Sequence, residues 1–407
     1  MSIRPAKSRV ERRLPAVAAR ELAGQPSQSS TQAIFLPAMI VLLGVLLPGS
    51  LVFNQVSAQA YPEWPGSLVI AVYTGVRLAG FLVSGNQRLY GFTFVLYCYL
   101  FMGLAPLVQL SRGLFPSVAP WVHEELNGLA IALVMTGIVA FEIGQGLQRK
   151  RVARNWSGLV GDTAFVSEPV LSGARINERR LYVFIAASLA LTLAFVLLVG
   201  SATFLQSRTQ VFASIDEGVT NASLAALMRS AVVGSLLVAF AAAVSLTKIK
   251  RGTKRFGLIF VTVVLGLASQ FITNVVNAPR YLALVVLVGM LAAFGIFRTR
   301  ARTRISFGAA LAGFLFIFPV LGGFRNSISF ASFTGNLESV LLGGDYDSFA
   351  EINNSIAYVT QHGYSYGYQL LGDLFVWVPR SIWPTKPQST STLVAESMGY
   401  PFTNVSA

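Results

Sequence analysis

The chain has a single cysteine, Cys98, inside an apolar run, which excludes an intrachain disulfide and any centre built from several thiolates. Histidine is as scarce: His123 and His362 are too few for a histidine-rich metal centre. Charge is short too. Only 12% of the 407 residues are Asp, Glu, Lys or Arg, against 54% hydrophobic and a mean hydropathy of +0.62. That balance defines an integral membrane protein. No glycine-rich nucleotide loop and no internal repeat is present, so a cytoplasmic catalytic domain is not expected. A net charge of +14 would suit nucleic acid if it gathered on one face. Here the basic residues come in bursts between hydrophobic runs, the pattern of cytoplasmic loops, and nucleic acid is not expected as a partner.

What is present is a series of apolar runs. Nine of them, about 33–53, 66–85, 89–110, 127–147, 181–200, 225–246, 257–275, 281–297 and 305–323, approach the ~20 residues needed to cross a bilayer. With the N-terminus inside, the cytoplasmic segments hold 23 Lys and Arg and the opposite set holds 6. The reading is therefore an all-α polytopic membrane protein of about nine transmembrane helices, N-terminus inside. Residues 1–32 form a disordered basic tail, 33–323 the transmembrane domain, and 324–407 an extracytoplasmic region with short helices. A signal peptide is not expected, because the first apolar run starts late and no small-residue cleavage site follows it.

Charges inside the spans are costly and so are candidates for function. For Arg77 and Glu142 the plainer expectation is snorkelling to the cytoplasmic interface. Arg229, about a turn below the outer end of the sixth span, either snorkels or lines a cavity. Outside, Arg208, Arg280 and Arg325 each stand beside a helix end on a surface that otherwise carries few cations. Guanidinium groups there could converge on an anionic headgroup, since the planar fork bonds phosphate bidentately. Ordinary interfacial anchoring is the competing account of each.

The C-terminal region departs from the rest in being polar, aromatic and irregular. Asp345-Tyr346-Asp347 has the D-x-D spacing of some sugar-transferring sites, and also precedes Ser348-Phe-Ala-Glu351, which reads as a capping box. Phe349, Ile352, Ile356 and Val359 then share one helical face. Tyr364, Tyr366 and Tyr368 suit sugar rings or a membrane interface belt alike. Leu370 to Val378 is too short to span and reads as interfacial or re-entrant. After it, Pro379-Arg380-Ser-Ile-Trp383-Pro-Thr-Lys386-Pro387 fixes an extended backbone that presents Arg380 and Lys386 beside Trp383.

Three blocks, Asn277-Ala-Pro-Arg280-Tyr281, Gly344-Asp-Tyr-Asp347-Ser-Phe349 and Pro379 to Pro387, resemble the bacterial O-antigen and oligosaccharide repeat-unit polymerases, the Wzy-like family. The resemblance implies a membrane-embedded glycosyltransferase of the bacterial inner membrane, acting on its extracytoplasmic side. A glycan on undecaprenyl pyrophosphate would move to a sugar hydroxyl of the next lipid-linked unit. Asp345, Asp347, Arg280 and Arg325 are the expected catalytic residues. Arg208, Arg229, Arg380, Lys386, Trp383 and Tyr366 are expected to bind substrate, with no metal and no cofactor. The lipid bilayer, lipid-linked oligosaccharides, a chain-length regulator and a flippase are the implied partners. A ligase using the same donor, a transporter or flippase for the lipid-linked unit, and an assembly subunit without its own site are the alternatives. Family members continue into further spans beyond a Thr-Asn-Val-Ser-like stretch, so a chain ending at Ala407 is expected to be a piece of a longer protein.

Overall fold

The computed structural model describes residues 28–53, 55–116, 123–156, 177–201, 204, 222–273, 280–317, 337–375, 378, 380 and 382–399, with backbone alone at 28–33, 149–156, 222–226, 280–281 and 317. Among these residues the chain is helical throughout, with no strand. Seven helices are long and apolar enough to cross a membrane: α1 (Ile34–Val52), α2 (Trp64–Ser84), α3 (Leu89–Arg112), α4 (Glu124–Gln148), α5 (Glu178–Val199), α6 (Leu227–Thr247) and α7 (Thr253–Ile272). The protein is thus built as a helical, multi-pass membrane protein. Two further expected spans are shorter or more charged. These are α8 (Arg280–Phe294), of 15 residues, and α9 (Arg300–Ala312), which opens with arginines and continues through Gly313–Ile317. The C-terminal region adds α10 (Leu337–Leu341), α11 (Ser348–His362), α12 (Tyr368–Leu374) and α13 (Thr390–Ser397). The helix leading into α1 already begins at Gln28, inside the stretch expected to be a disordered tail; residues 1–27 lie outside the described residues.

Local sequence explains the ends. Trp64-Pro65 opens α2, where proline gives up no helical hydrogen bond, and Gly85 closes it at φ +62°. A Cβ at Gly85 would stand 2.5 Å from the Arg300 carbonyl oxygen, so glycine also lets the end of α2 meet the start of α9. Asn177 opens α5 by accepting from the N–H groups of Arg179 and Arg180.

Helices α1, α2, α3 and α9 share one core with α10 and Tyr346, while α2, α3, α4 and α11 share a second around Ile70, Met102, Ile131 and Phe349. Helix α3 is the axis of this half, with 78% of its apolar window buried. The approach is close because the seam is lined with small residues: a Cβ at Gly103 would fall 2.9 Å from the Ala71 Cα. Both α1 and α3 carry a π-helical stretch, Val41–Leu46 and Cys98–Leu104. The Tyr99 hydroxyl donates to the Leu43 carbonyl at 2.7 Å, joining the two stretches. In the other half, α6 packs against α5, α7 and α8 around Val232, Leu236, Phe240, Leu265 and Val286.

Candidate functional site

The C-terminal region folds into the bundle before it leaves it. The Arg112 guanidinium, at the end of α3, forms an ion pair with Glu338 of α10 at 2.6 Å and also donates to Gln55. One turn back along α3, the fully buried Gln109 donates through Nε2 to two main-chain carbonyls, Leu341 at 3.0 Å and Tyr346 at 2.9 Å. Further along, the Phe101 ring stacks on Tyr346 with centroids 5.0 Å apart, and Tyr97 stacks on Phe101 at 5.1 Å. Tyr97 also interacts with Ser348 and lies in the field of Asp347. Residues 337–348 therefore run alongside α3 from its Arg112 end towards its middle. From Arg112 to Tyr97 this is about 22 Å of helix at an α-helical rise.

Helix α11 returns the chain. Its start is buried, with Ser348, Phe349, Ala350, Glu351, Asn353 and Asn354 all enclosed, and its end at His362 is exposed. Phe349, Ile352 and Ile356 enter the core formed with α2, α3 and α4, which is the face the sequence pattern indicates. Asn353 donates to the Asn127 side chain near the start of α4 at 2.7 Å, and both amides are fully buried. The result is a re-entrant helical hairpin with the Asp345-Tyr346-Asp347 turn at its inner tip. Asp345 and Asp347 are half-buried there, and the Tyr346 ring is enclosed. The capping box expected at Ser348 does not form. The N-cap position falls to Asp347, whose side chain makes no cap hydrogen bond, and Ser348 is the first helical residue. The reason is the 3₁₀ turn at Gly344–Tyr346, which feeds the chain into the helix one residue earlier.

Polar groups tie the link between α1 and α2 to the start of α4 and the end of α3. The Tyr61 hydroxyl, in the link between α1 and α2, donates to Glu124 at 2.6 Å; burial and that carboxylate push its pKa up to about 12. The same link is fastened to the end of α3 by the N–H groups of Ser57 and Tyr61, which donate to Ser111 and Leu110.

The other expected site residues fall elsewhere. Arg208 and Arg325 lie outside the described residues, and for Arg280 only its place as the first residue of α8 is described. Arg229 donates to the Ile272 carbonyl at 3.0 Å, a cation at the C-terminal end of α7, where the helix dipole favours it. Arg77 and Glu142, each read singly from the sequence, meet one another. They form a two-pronged ion pair between α2 and α4, at 2.7 and 2.8 Å, because each removes the other's cost of burial.

Arg380, Lys386 and Trp383 come together with α12 in a self-fastened loop. Arg380 donates to the Lys386 carbonyl at 2.7 Å, and Lys386 donates back through Nζ to Val378 at 3.2 Å. Trp383 donates to Thr385 at 3.1 Å, and its ring meets Phe375 edge-on. These cations brace the loop's own backbone, which the prolines leave short of internal bonds. Tyr366 stands 95% exposed in a left-handed backbone conformation, φ +48°.

Gln109, Arg112, Tyr97, Asn127 and Asn353 were not expected at the site. Gln109 had a legible signal: it is the lone amide in the α3 run, and an amide in hydrocarbon needs partners. Among the described residues no three His, Cys, Asp or Glu side chains gather as a metal site would require. Searches against protein-family models, curated proteins and solved structures return no match to this chain.

Proposed function

We propose that this chain polymerises lipid-linked oligosaccharide repeat units at the extracytoplasmic side of the bacterial inner membrane, within a nine-span, N-terminus-in topology. The observation that carries this reading is the Gly344–Asp347 turn. It is one of the three blocks that resemble the Wzy-like polymerases, and it sits at the tip of a hairpin inserted among apolar helices. Carboxylates are costly at such depth and are kept there for function. In this reading the attacking sugar hydroxyl gives its proton to Asp345 or Asp347 as its oxygen bonds the donor's anomeric carbon. The bond from that carbon to undecaprenyl pyrophosphate breaks, and Arg280 and Arg325 stabilise the charge that gathers on the leaving phosphate. Arg208 adds to the anion site. The described bonds of Arg229, Arg380 and Lys386 give these three structural work beside any part in binding.

The test is the lipid-linked glycan profile of a deletion strain complemented with variants. Asp347→Asn, Arg280→Ala and Arg325→Ala at normal membrane levels should each leave single repeat units on the lipid. Loss of one donor to developing charge typically costs about 10²–10³ in rate. Lysine at 280 or 325 should rescue poorly, because it lacks the bidentate fork. Long chains left unligated would assign the chain to the ligase class, and a normal profile in all three variants would remove the reading.

A further inference from the structure

The segment after the re-entrant hairpin is built inside out. In α12 the inward side carries the small and polar residues: Gly372 is pressed against Pro387, where a Cβ would stand 2.9 Å from its carbonyl oxygen. On the same side Gln369 accepts from Ser365 and Thr390, each at 3.2 Å. The outward side is apolar. Leu370 is 60% exposed and Leu374 62%, with Leu371 and Phe375 beside them. Ile382, in the loop that packs back on α12, is 75% exposed. At 100° per residue, positions 370, 371, 374 and 375 fall on one side of the helix and 369 and 372 on the other. A surface helix in water shows the reverse arrangement.

We infer that α12 and the Ile382 loop rest in the bilayer itself, with this outward face sunk into the leaflet adjoining the Arg112 end of α3. Three observations select lipid as the occupant. The spanning helices place a bilayer at this end of the bundle. The segment is held close to it: Asn353 is bonded at the start of α4, and only nine residues of α11, ~13 Å of helix at most, separate it from the exposed His362. The face is also edged with side chains that suit a boundary between water and hydrocarbon. Tyr368 turns its hydroxyl back to the Thr385 carbonyl at 2.8 Å, and Asp373 and Arg380 stand at the margin, exposed. A short amphipathic element of this kind lies in the interface plane without crossing. The inference stands apart from the polymerase reading, since it concerns where the segment lies and not what the chain transfers.

The native chain suits a single-label experiment, because Cys98 is buried and is the sole cysteine. In a Cys98→Ala background, the full chain in phosphatidylethanolamine–phosphatidylglycerol vesicles is labelled with a nitroxide at Leu374→Cys, Ile382→Cys or, as a reference on the polar side, Gln388→Cys. All three positions are exposed, so the label does not disturb packing. Collisions with oxygen, which concentrates in lipid, should exceed those with a water-soluble nickel chelate at 374 and 382, and the order should reverse at 388. Nickel prevailing at 374 and 382 would place the face in water and overturn the inference. Spin–spin broadening there, from a second copy, or exclusion of both colliders, from a covering protein surface, would overturn it as well.

Discussion

At the scale of single residues, two polar arrangements, one buried and one half-buried, decide how the bundle is held. Gln109 gives both N–H bonds of its amide to carbonyls of a segment more than two hundred residues away. Gln109→Ala leaves the Leu341 and Tyr346 carbonyls without that donor among apolar neighbours, at about 1–3 kcal/mol for a stranded buried group. The expected outcome is a lower melting temperature in nanodiscs and faster proteolysis within 337–348, while Gln109→Glu fares no better because it removes the donor. Arg77 and Glu142 behave differently. Either single change, Arg77→Met or Glu142→Leu, leaves one charge without its partner at a half-buried site, where the loss is smaller than the about 3–5 kcal/mol of a fully buried pair. The double variant should recover most of that loss. Unfolding of all three in mixed micelles measures it, and additive losses would show that the pair carries no mutual stabilisation.

At the scale of elements, the hairpin depends on how tightly α1, α2 and α3 are stacked, since α3 is the wall it runs along. Gly75 of α2 marks the tightest point. A Cβ there would lie 2.5 Å from the Leu43 carbonyl oxygen and 3.0 Å from the Tyr99 ring, at the junction of the two π-helical stretches. Overpacking a site of this kind costs about 1–3 kcal/mol. Gly75→Ala should therefore lower thermal stability and weaken the Tyr99–Leu43 bond, read as faster amide exchange across Val41–Leu46. Gly80, with open space around its Cβ position, is the control, and Gly80→Ala should be neutral or mildly stabilising. Equal effects at both positions would show that close approach is not what Gly75 provides. The same stacking explains why α11 can bury Glu351, Asn353 and Asn354. Of these, Asn353 meets a fixed partner in Asn127 of α4.

At the scale of the whole molecule, the two halves use different means. The α1–α4 half, with α9 to α11, is laced by polar side chains across helices, whereas α5 to α8 form an apolar core pinned at its ends. Arg229 holds the end of α7, Lys248 donates to the Ala293 carbonyl at 3.0 Å, and Lys250 pairs with Glu178. The lysine ties fall on the side that the proposed topology assigns to the cytoplasm. A reporter after Ala407 should then be active only when exported, and one fused within 157–176 only when cytoplasmic. The opposite pattern would invert the bundle and remove the extracytoplasmic reaction with it.

The sequence by itself determined the class of protein and the places of seven of its nine expected spans. Apolar runs of the right length are local facts, and the start of α2 at Trp64-Pro65 or its stop at Gly85 needs no distant partner. It also determined the face of α11, because Phe349, Ile352 and Ile356 repeat at helical spacing. It left open what the polar residues within those spans meet. Arg77 reads as a snorkelling cation until α4 brings Glu142 beside it, and Gln109 reads as one amide in a greasy run until the C-terminal hairpin arrives. Arg380 and Lys386 read as outward-facing cations, yet their loop folds them back onto its own carbonyls. Hydrogen bonds and ion pairs depend on atoms within about 3 Å, and only the tertiary packing of helices far apart in the chain decides which atoms those are.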